Sequence, residues 1–181
     1  VAMFAKDNEL YLRAVEPADS KLLYEWENDL SLWQVSERFA PLSHFEIEQF
    51  ILNNQDLFAN KQLRLMIDIQ TSNHSLSIGT VDIYDLDLYH QRAGIGILID
   101  APYRNKGYAR RAMILTQNYC FEVLKLHQVY GLIAADNQAS LKLFSSLNYT
   151  ETAKKTDWLK KDDGFIDQYQ FQLHQPEKKS K

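Results

Sequence analysis

The sequence predicts an α/β domain in which one central sheet carries helices on both faces. Three observations lead there. Leu63, Leu65, Ile67 and Ile69 alternate with Arg64, Met66, Asp68 and Gln70, the period of a half-buried strand. Ala109, Ala112, Thr116, Tyr119, Cys120 and Val123 recur at helical spacing over residues 107–125. Directly before them, the β-branched apolar run from Ile95 to Asp100 turns through Pro102 and Gly107 into that helix, as a buried strand feeding a packed helix does.

The remaining elements follow in order. Residues 9–15 read as the first strand. Pro17 starts a helix, and 18–28 carries Leu22, Leu23 and Trp26 on one side. Ser43 caps a second helix, with Glu46 three residues on completing a capping box. The alternating strand at 63–69 ends in a polar turn over 71–75. Strands at 76–84 and 93–100 are joined by an acidic bend. After the long helix come a buried strand at 129–134 and a short helix at 137–147. Strands at 149–153 and 165–174 close the chain. No repeat or low-complexity linker divides it. Residues 1–181 are therefore expected to form one domain, with an ordered core over about 9–174 and short tails. The lysine-rich end, 178–181, reads as solvated and disordered.

Composition narrows the functional classes. With 45% hydrophobic residues, 181 residues can bury one sizeable core. A net charge of -4 argues against a nucleic-acid binder that relies on a broad basic face. No apolar run approaches the ~20 residues of a membrane span, and the first ten residues lack the apolar core of a secretory signal. Cys120 is the only cysteine, which excludes an internal disulfide; between Tyr119 and Phe121 it reads as a packed thiol. A cytoplasmic protein is expected, with homo-oligomerisation left open. The five histidines show no ligand spacing, so no metal is expected.

The turn after Asp100 carries the functional signal. Arg104, Asn105, Lys106, Gly107, Tyr108, Ala109 and Arg110 offer small or flexible positions beside cations, with no acid or hydroxyl to cap the helix. Backbone N–H groups at such a helix start suit a phosphate or pyrophosphate. A Walker A loop fails here because Gly107 is followed by Tyr108 and Ala109. A dinucleotide fingerprint fails because the turn has a single glycine. The run Arg104-x-x-Gly107-x-Ala109 resembles the acyl-CoA loop of the GCN5-related N-acetyltransferase (GNAT) superfamily, written Arg/Gln-x-x-Gly-x-Gly/Ala. The order of elements is similar too, over about residues 11–173. It looks most like the branch holding ribosomal-protein alanine N-acetyltransferases and spermidine N-acetyltransferases. Leu12-Arg13-Ala14, Trp26-x-Asn28-Asp29, Asp136-Asn137-x-x-Ser140 and Asp163-Gly164-x-x-Asp167 are the local matches.

The resemblance implies a mixed, mostly antiparallel sheet of about seven strands, with a splayed parallel pair at 97–100 and 129–134 that holds acyl-CoA. It implies acetyl-CoA as co-substrate, with pyrophosphate on the backbone N–H groups from Asn105 to Arg110 and added charge from Arg104. It further implies a backbone N–H near Leu98 or Ile99 for the developing oxyanion, and Asn137 positioning the pantetheine arm. An amine then attacks the thioester directly in a ternary complex. An alkylammonium of pKa about 10 is mostly protonated at neutral pH, so a carboxylate, acting through water, must take a proton.

Two positions depart from that pattern. Alignment through the loop places Gly94 where many relatives carry a glutamate base. Counting seven residues from Asn137 reaches Phe144, where polyamine enzymes carry a tyrosine acid; a phenyl ring donates no proton, so Phe144 is core or a wall of the thioester site. Asp82, expected on one face with Ile78, Thr80 and Tyr84, is the replacement base, or else a structural aspartate. Ser140 is the replacement acid, or else a first-turn serine. Asn137 both caps its helix and positions the cofactor, and Tyr149 reads as core.

The acceptor side is expected at Glu25, Glu27, Asp29, Trp33 and Asp82, with Glu37, Asp85 and Asp87 adding negative charge and Trp26 and Phe39 as walls or core. Such a surface attracts a cationic amine, or else is a solvated acidic face. The expected function is acetyl-CoA-dependent N-acetylation of a primary amine, in a diamine or polyamine or at a protein N-terminus. A non-catalytic acyl-CoA-binding module stays open because of Gly94 and Phe144. An acyltransferase for an amino sugar or amino acid stays open as well.

Overall fold

The computed structural model describes residues 3–36, 40–53 and 56–176. One eight-stranded sheet organises them: β1 (Met3–Asp7), β2 (Leu10–Ala14), β3 (Leu63–Gln70), β4 (Ser75–Asp87), β5 (Arg92–Ile99), β6 (Gln128–Ala134), β7 (Thr150–Lys161) and β8 (Gly164–His174), in the order β1-β2-β3-β4-β5-β6-β8-β7. Every neighbouring pair is antiparallel except β5 and β6. The mixed, mostly antiparallel sheet is as expected. The eighth strand is β1, a short edge strand ahead of the expected start.

The helices are α1 (Ser20–Glu27), α2 (Leu30–Ser36), α3 (His44–Asn53), α4 (Leu57–Asn60), α5 (Tyr108–Asn118) and α6 (Gln138–Ser146). Strand alternation divides the core into two layers. Leu65, Ile67 and Ile69 join Ala112, Met113 and Cys120 on the α5 side, whereas Met66 meets Leu23, Trp26, Ile47 and Ile51 on the α1–α3 side. The capping box at α3 forms as read, Ser43 N–H donating to Glu46 Oε2 at 2.8 Å and Glu46 N–H to Ser43 Oγ at 3.2 Å.

Three local features depart from the expected pattern. The sequence from 29 to 36 holds a further helix, α2, whose start is fixed by Ser31 N–H donating to Asp29 Oδ1 at 2.9 Å. The long helix widens after Asn118 into a π-type turn over Tyr119–Val123, closed by Leu124 N–H to Tyr119 O at 3.1 Å. Ile78 packs with the α5-side core, while Thr80, Asp82 and Tyr84 line a cleft on the other face. A register shift opposite Ile67 and Asp68 flips the alternation there.

The feature that positions the site is the parting of β5 and β6. They pair only from Arg92↔Gln128 to Gly94↔Tyr130. Beyond that, β5 stays bonded to β4 as far as Gly79↔Ile99, and β6 to β8 as far as Ala134↔Gln168. The inner edges separate while the outer edges hold, which leaves a gap walled by unpaired backbone.

Candidate active site

A cleft of about 1110 Å³ runs along this gap. At one end stands the start of α5. Its N-cap is Gly107, at φ +81°, with no side chain accepting from the first turn. The first intrahelical bond is Arg111 N–H to Gly107 O at 3.2 Å, so the N–H groups of Tyr108, Ala109 and Arg110 have no partner within the helix. A Cβ at Gly107 would meet nothing within 4 Å. This is an open, uncapped helix start facing a cleft, and an anionic group of pyrophosphate size fits it.

The cations of the loop divide. Arg104 and Arg110 line the cleft, and Arg104 Nε donates to Ile99 O at 2.8 Å, which folds the guanidinium back beside the gap. Lys106 lies over the Tyr103 ring, 5.4 Å from its centroid, and does not line the cleft. Arg111 is drawn away to Asp7 and Glu9, at 2.6 Å each, and ties α5 to β1 and the turn after it. Leu98, Ile99, Asn105, Tyr108 and Ala109 line the cleft with them.

Asn137 and Ser140 occupy the opposite wall. Asn137 Oδ1 accepts from Ser140 N–H at 3.1 Å, the N-cap of α6, and the half-buried Ser140 lines the cleft. Phe144 does not line it. The ring is 3% exposed and packs beneath β6, where a Cβ on Gly131 would stand 2.3 Å from its Cε1. Of the two readings of Phe144, core and thioester wall, its place is core, because α6 turns this position into the sheet.

The acceptor residues are rearranged most. Asp82 and Glu27 line the cleft, but both are held by Arg64, which stands across from Asp82 on β3. Arg64 Nε and Nη2 donate to the two Asp82 oxygens at 2.7 and 2.9 Å, and Nη1 donates to Glu27 Oε1. Burial opposes the guanidinium charge, yet the Asp82 and Glu27 carboxylates keep its pKa above the usual value. Glu25 points to solvent on the other side of α1. Asp29 caps α2, and hydrogen bonds from Ser31, helped by the Arg104 charge, hold its carboxyl below the usual range. Trp33 Nε1 donates to Glu27 O at 3.0 Å and joins α2 to α1. Glu25, Asp29 and Trp33 do not line the cleft, so the expected acidic acceptor surface is not assembled. Glu37 and Phe39, like the 178–181 tail, lie outside the described residues.

Arg64, Tyr84, Lys155 and Trp158 also line the cleft and were not singled out from sequence as site residues. No sequence signal marked Arg64: the pairing of β3 with β4 is what places it opposite Asp82. No group of three metal-ligating side chains stands together among the described residues, and no helix there is long and apolar enough to cross a membrane.

A parallel pair that parts beside an uncapped helix start defines a class of acyl-CoA-dependent transferases. The acetyltransferase (GNAT) domain profile matches residues 9–150, and the chain belongs to that family of N-acetyltransferases. It is 25% identical to the spermidine N(1)-acetyltransferase of Vibrio cholerae serotype O1 over 145 residues, 80% of this chain and 81% of that protein. To the spermidine N(1)-acetyltransferase of Escherichia coli K12 it is 24% identical over 144 residues, 77% of this chain and 72% of that one. The structure superposes on spermidine N-acetyltransferase from Vibrio cholerae in complex with CoA and spermine with a TM-score of 0.82, at 23% identity, covering 92% of this chain and 96% of that one. The GNAT-family acetyltransferase of Bacillus anthracis gives 0.77 at 20% identity, covering 95% and 98%. These superpositions establish a shared fold.

Proposed function

We propose that this protein transfers the acetyl group of acetyl-CoA to a primary amine of a small molecule, and that the cleft between β5 and β6 is where it does so. The observation that carries this reading is the end of pairing at Gly94↔Tyr130 beside the uncapped start of α5 at Gly107. Acetyl-CoA supplies an activated acyl group: a C–N bond forms as the C–S bond breaks, the amine gives up a proton, and the sulfur gains one. The N–H groups of Tyr108, Ala109 and Arg110 hold the pyrophosphate, with Arg104 and Arg110 adding charge. Asp82 takes the amine proton through water, since its contact with Arg64 leaves lone pairs on both oxygens. The Ser140 hydroxyl, which has no hydrogen-bond partner among the described residues, donates to the departing sulfur. Spermidine, named for the relatives, is the first acceptor to assay, and a protein N-terminal amine belongs in the same screen.

The test is calorimetry with CoA, paired with thiol release from acetyl-CoA in the presence of amines. Gly107→Glu places a negative side chain in the open space of the helix start and should abolish CoA binding with the circular dichroism retained. Gly107→Ala carries the same backbone strain without the charge and should lose far less. Equal affinity in wild type and Gly107→Glu overturns the cradle. Tight CoA binding with no thiol release for any amine would favour a non-catalytic acyl-CoA-binding module.

A further inference from the structure

The acceptor end of the cleft has a charge pattern that does not suit a polycation. Among the described residues its two carboxylates, Glu27 and Asp82, already face a common cation, Arg64. A further cation, Lys155 of β7, lines the same cleft and has no carboxylate within ion-pair distance among the described residues. An ammonium entering here meets Lys155 as a like charge, whereas a carboxylate entering beside the amine meets a partner.

Lys155 is placed there by a specific distortion. In the β7–β8 hairpin Lys155 pairs with Gln168 and Leu159 with Ile166, so three residues of β7, 156–158, lie opposite the single residue Asp167. Asp157 takes φ +50°, and its N–H donates to Asp167 Oδ1 at 2.9 Å, while Lys154 Nζ holds the other oxygen at 2.7 Å. The bulge lets Lys155 and Trp158 line the same cleft. Lys155 Nζ lies 4.7 Å from the Trp158 ring centroid and 3.3 Å from Gln168 Oε1, so the ammonium is held over an indole that is itself 59% exposed. An aromatic face left open beside a half-buried, fixed ammonium is a platform for a ligand with an apolar body and an anionic end.

We propose that Lys155, with Trp158 as its platform, is the specificity-determining residue of the acceptor cleft, and that it recognises a carboxylate carried by the amine substrate. The acceptor is then an amino acid or another amino carboxylate. This rests on the acetyl-transfer reading and narrows it.

The experiment compares amines that differ in one group, carried at two distances from the reacting nitrogen. Butylamine, 4-aminobutyrate and putrescine form one series, and phenylalaninamide and phenylalanine form a pair with shorter spacing. Thiol release from acetyl-CoA gives kcat/KM for each, and calorimetry on the CoA-loaded protein gives acceptor affinity. In wild type, the carboxylated member of at least one set should exceed its neutral counterpart by about 10-fold or more, and 4-aminobutyrate should exceed putrescine. In Lys155→Gln that advantage should fall to about one, with CoA affinity retained; in Lys155→Glu, putrescine should become the better member. A wild-type preference for putrescine or spermidine overturns the inference. So does an advantage that survives in Lys155→Gln, or a failure of both amino carboxylates to bind the CoA-loaded protein. Loss of CoA binding together with silence toward every amine would instead remove the acetyl-transfer reading itself.

Discussion

The Tyr84 ring lies across Gly94: a Cβ at residue 94 would stand 2.2 Å from Tyr84 Cε2 and 2.3 Å from Cζ. The two residues are register partners on β4 and β5, and Gly94 belongs to the last pair before β5 and β6 part. Tyr130, its partner on β6, meets Tyr84 edge-on at 5.9 Å. The place where a glutamate was expected from the family pattern is therefore filled by an aromatic wall of the cleft.

That packing predicts a strong coupling between the two positions. Gly94→Glu should destabilise the protein by about 1–3 kcal/mol, because the new side chain must displace a ring that is already packed. Tyr84→Ala in the same chain should recover part of the loss. Melting curves of the four proteins give the coupling free energy, expected at about 1 kcal/mol or more. Strict additivity would mean that Tyr84 moves aside without cost.

A second prediction concerns the ion cluster beneath β2. Arg13, 6% exposed, donates to Asp68 at 2.6 Å and to both Asp19 oxygens at 2.7 Å, which joins β2, the turn into α1 and β3. Burial works against the guanidinium charge, but the two carboxylates raise its pKa above the usual value. Arg13→Leu leaves two buried carboxylates without their cation and should cost about 3–5 kcal/mol in urea unfolding. A loss below about 1 kcal/mol would show that water replaces the pairing.

The fold was legible where the pattern is local. The alternation at 63–69, the capping box at Ser43 and the strand–turn–helix at Gly107 each formed where read, although β3 is buried on both faces, with Met66 in the α1–α3 layer. Residues 154–161 were not read as strand because β7 is largely solvent-exposed, rich in lysine, and interrupted by the bulge at 156–158. Periodicity has nothing to report in such a segment. The cofactor loop was legible because its chemistry is backbone and local. The acceptor end was not, because it depends on cross-strand partners. Glu27 and Asp82 read as an acidic surface in one dimension, and only the register of β3 brings Arg64 between them.

Cys120 gives a pH prediction. Burial pushes its thiol from the usual 9.0 up to about 12, so above pH 9 the unfolded chain releases a proton that the folded protein keeps. Stability is thus retained below pH 9 and lost as pH rises toward 12, at about 1.4 kcal/mol per pH unit from this group. Tyr130 adds to the upper part of that window, raised to about 12 by burial and by Asp85. Cys120→Ala should lower the melting temperature at neutral pH through its cavity, yet flatten the alkaline decline. An unchanged slope would assign the decline to other groups.

The last prediction separates proton transfer from scaffolding in the cleft. Asp82 is both the proposed base and the anchor of Arg64, so loss of rate alone would not distinguish the roles. If the carboxylate takes the amine proton through water, Asp82→Asn should lower kcat by about 10²–10⁴-fold with CoA affinity unchanged, and the acid limb of the pH–rate profile should flatten. Arg64→Gln supplies the contrast: it releases Asp82 from its partner but keeps the carboxylate, so the acid limb should persist while KM for the acceptor changes. Ser140→Ala should cost less than Asp82→Asn, because a thiol of reference pKa about 8.5 leaves readily as the thiolate. If Asp82→Asn retains both rate and profile, Asp82 serves to hold Arg64 in the cleft wall, and the amine proton passes to solvent or to another group.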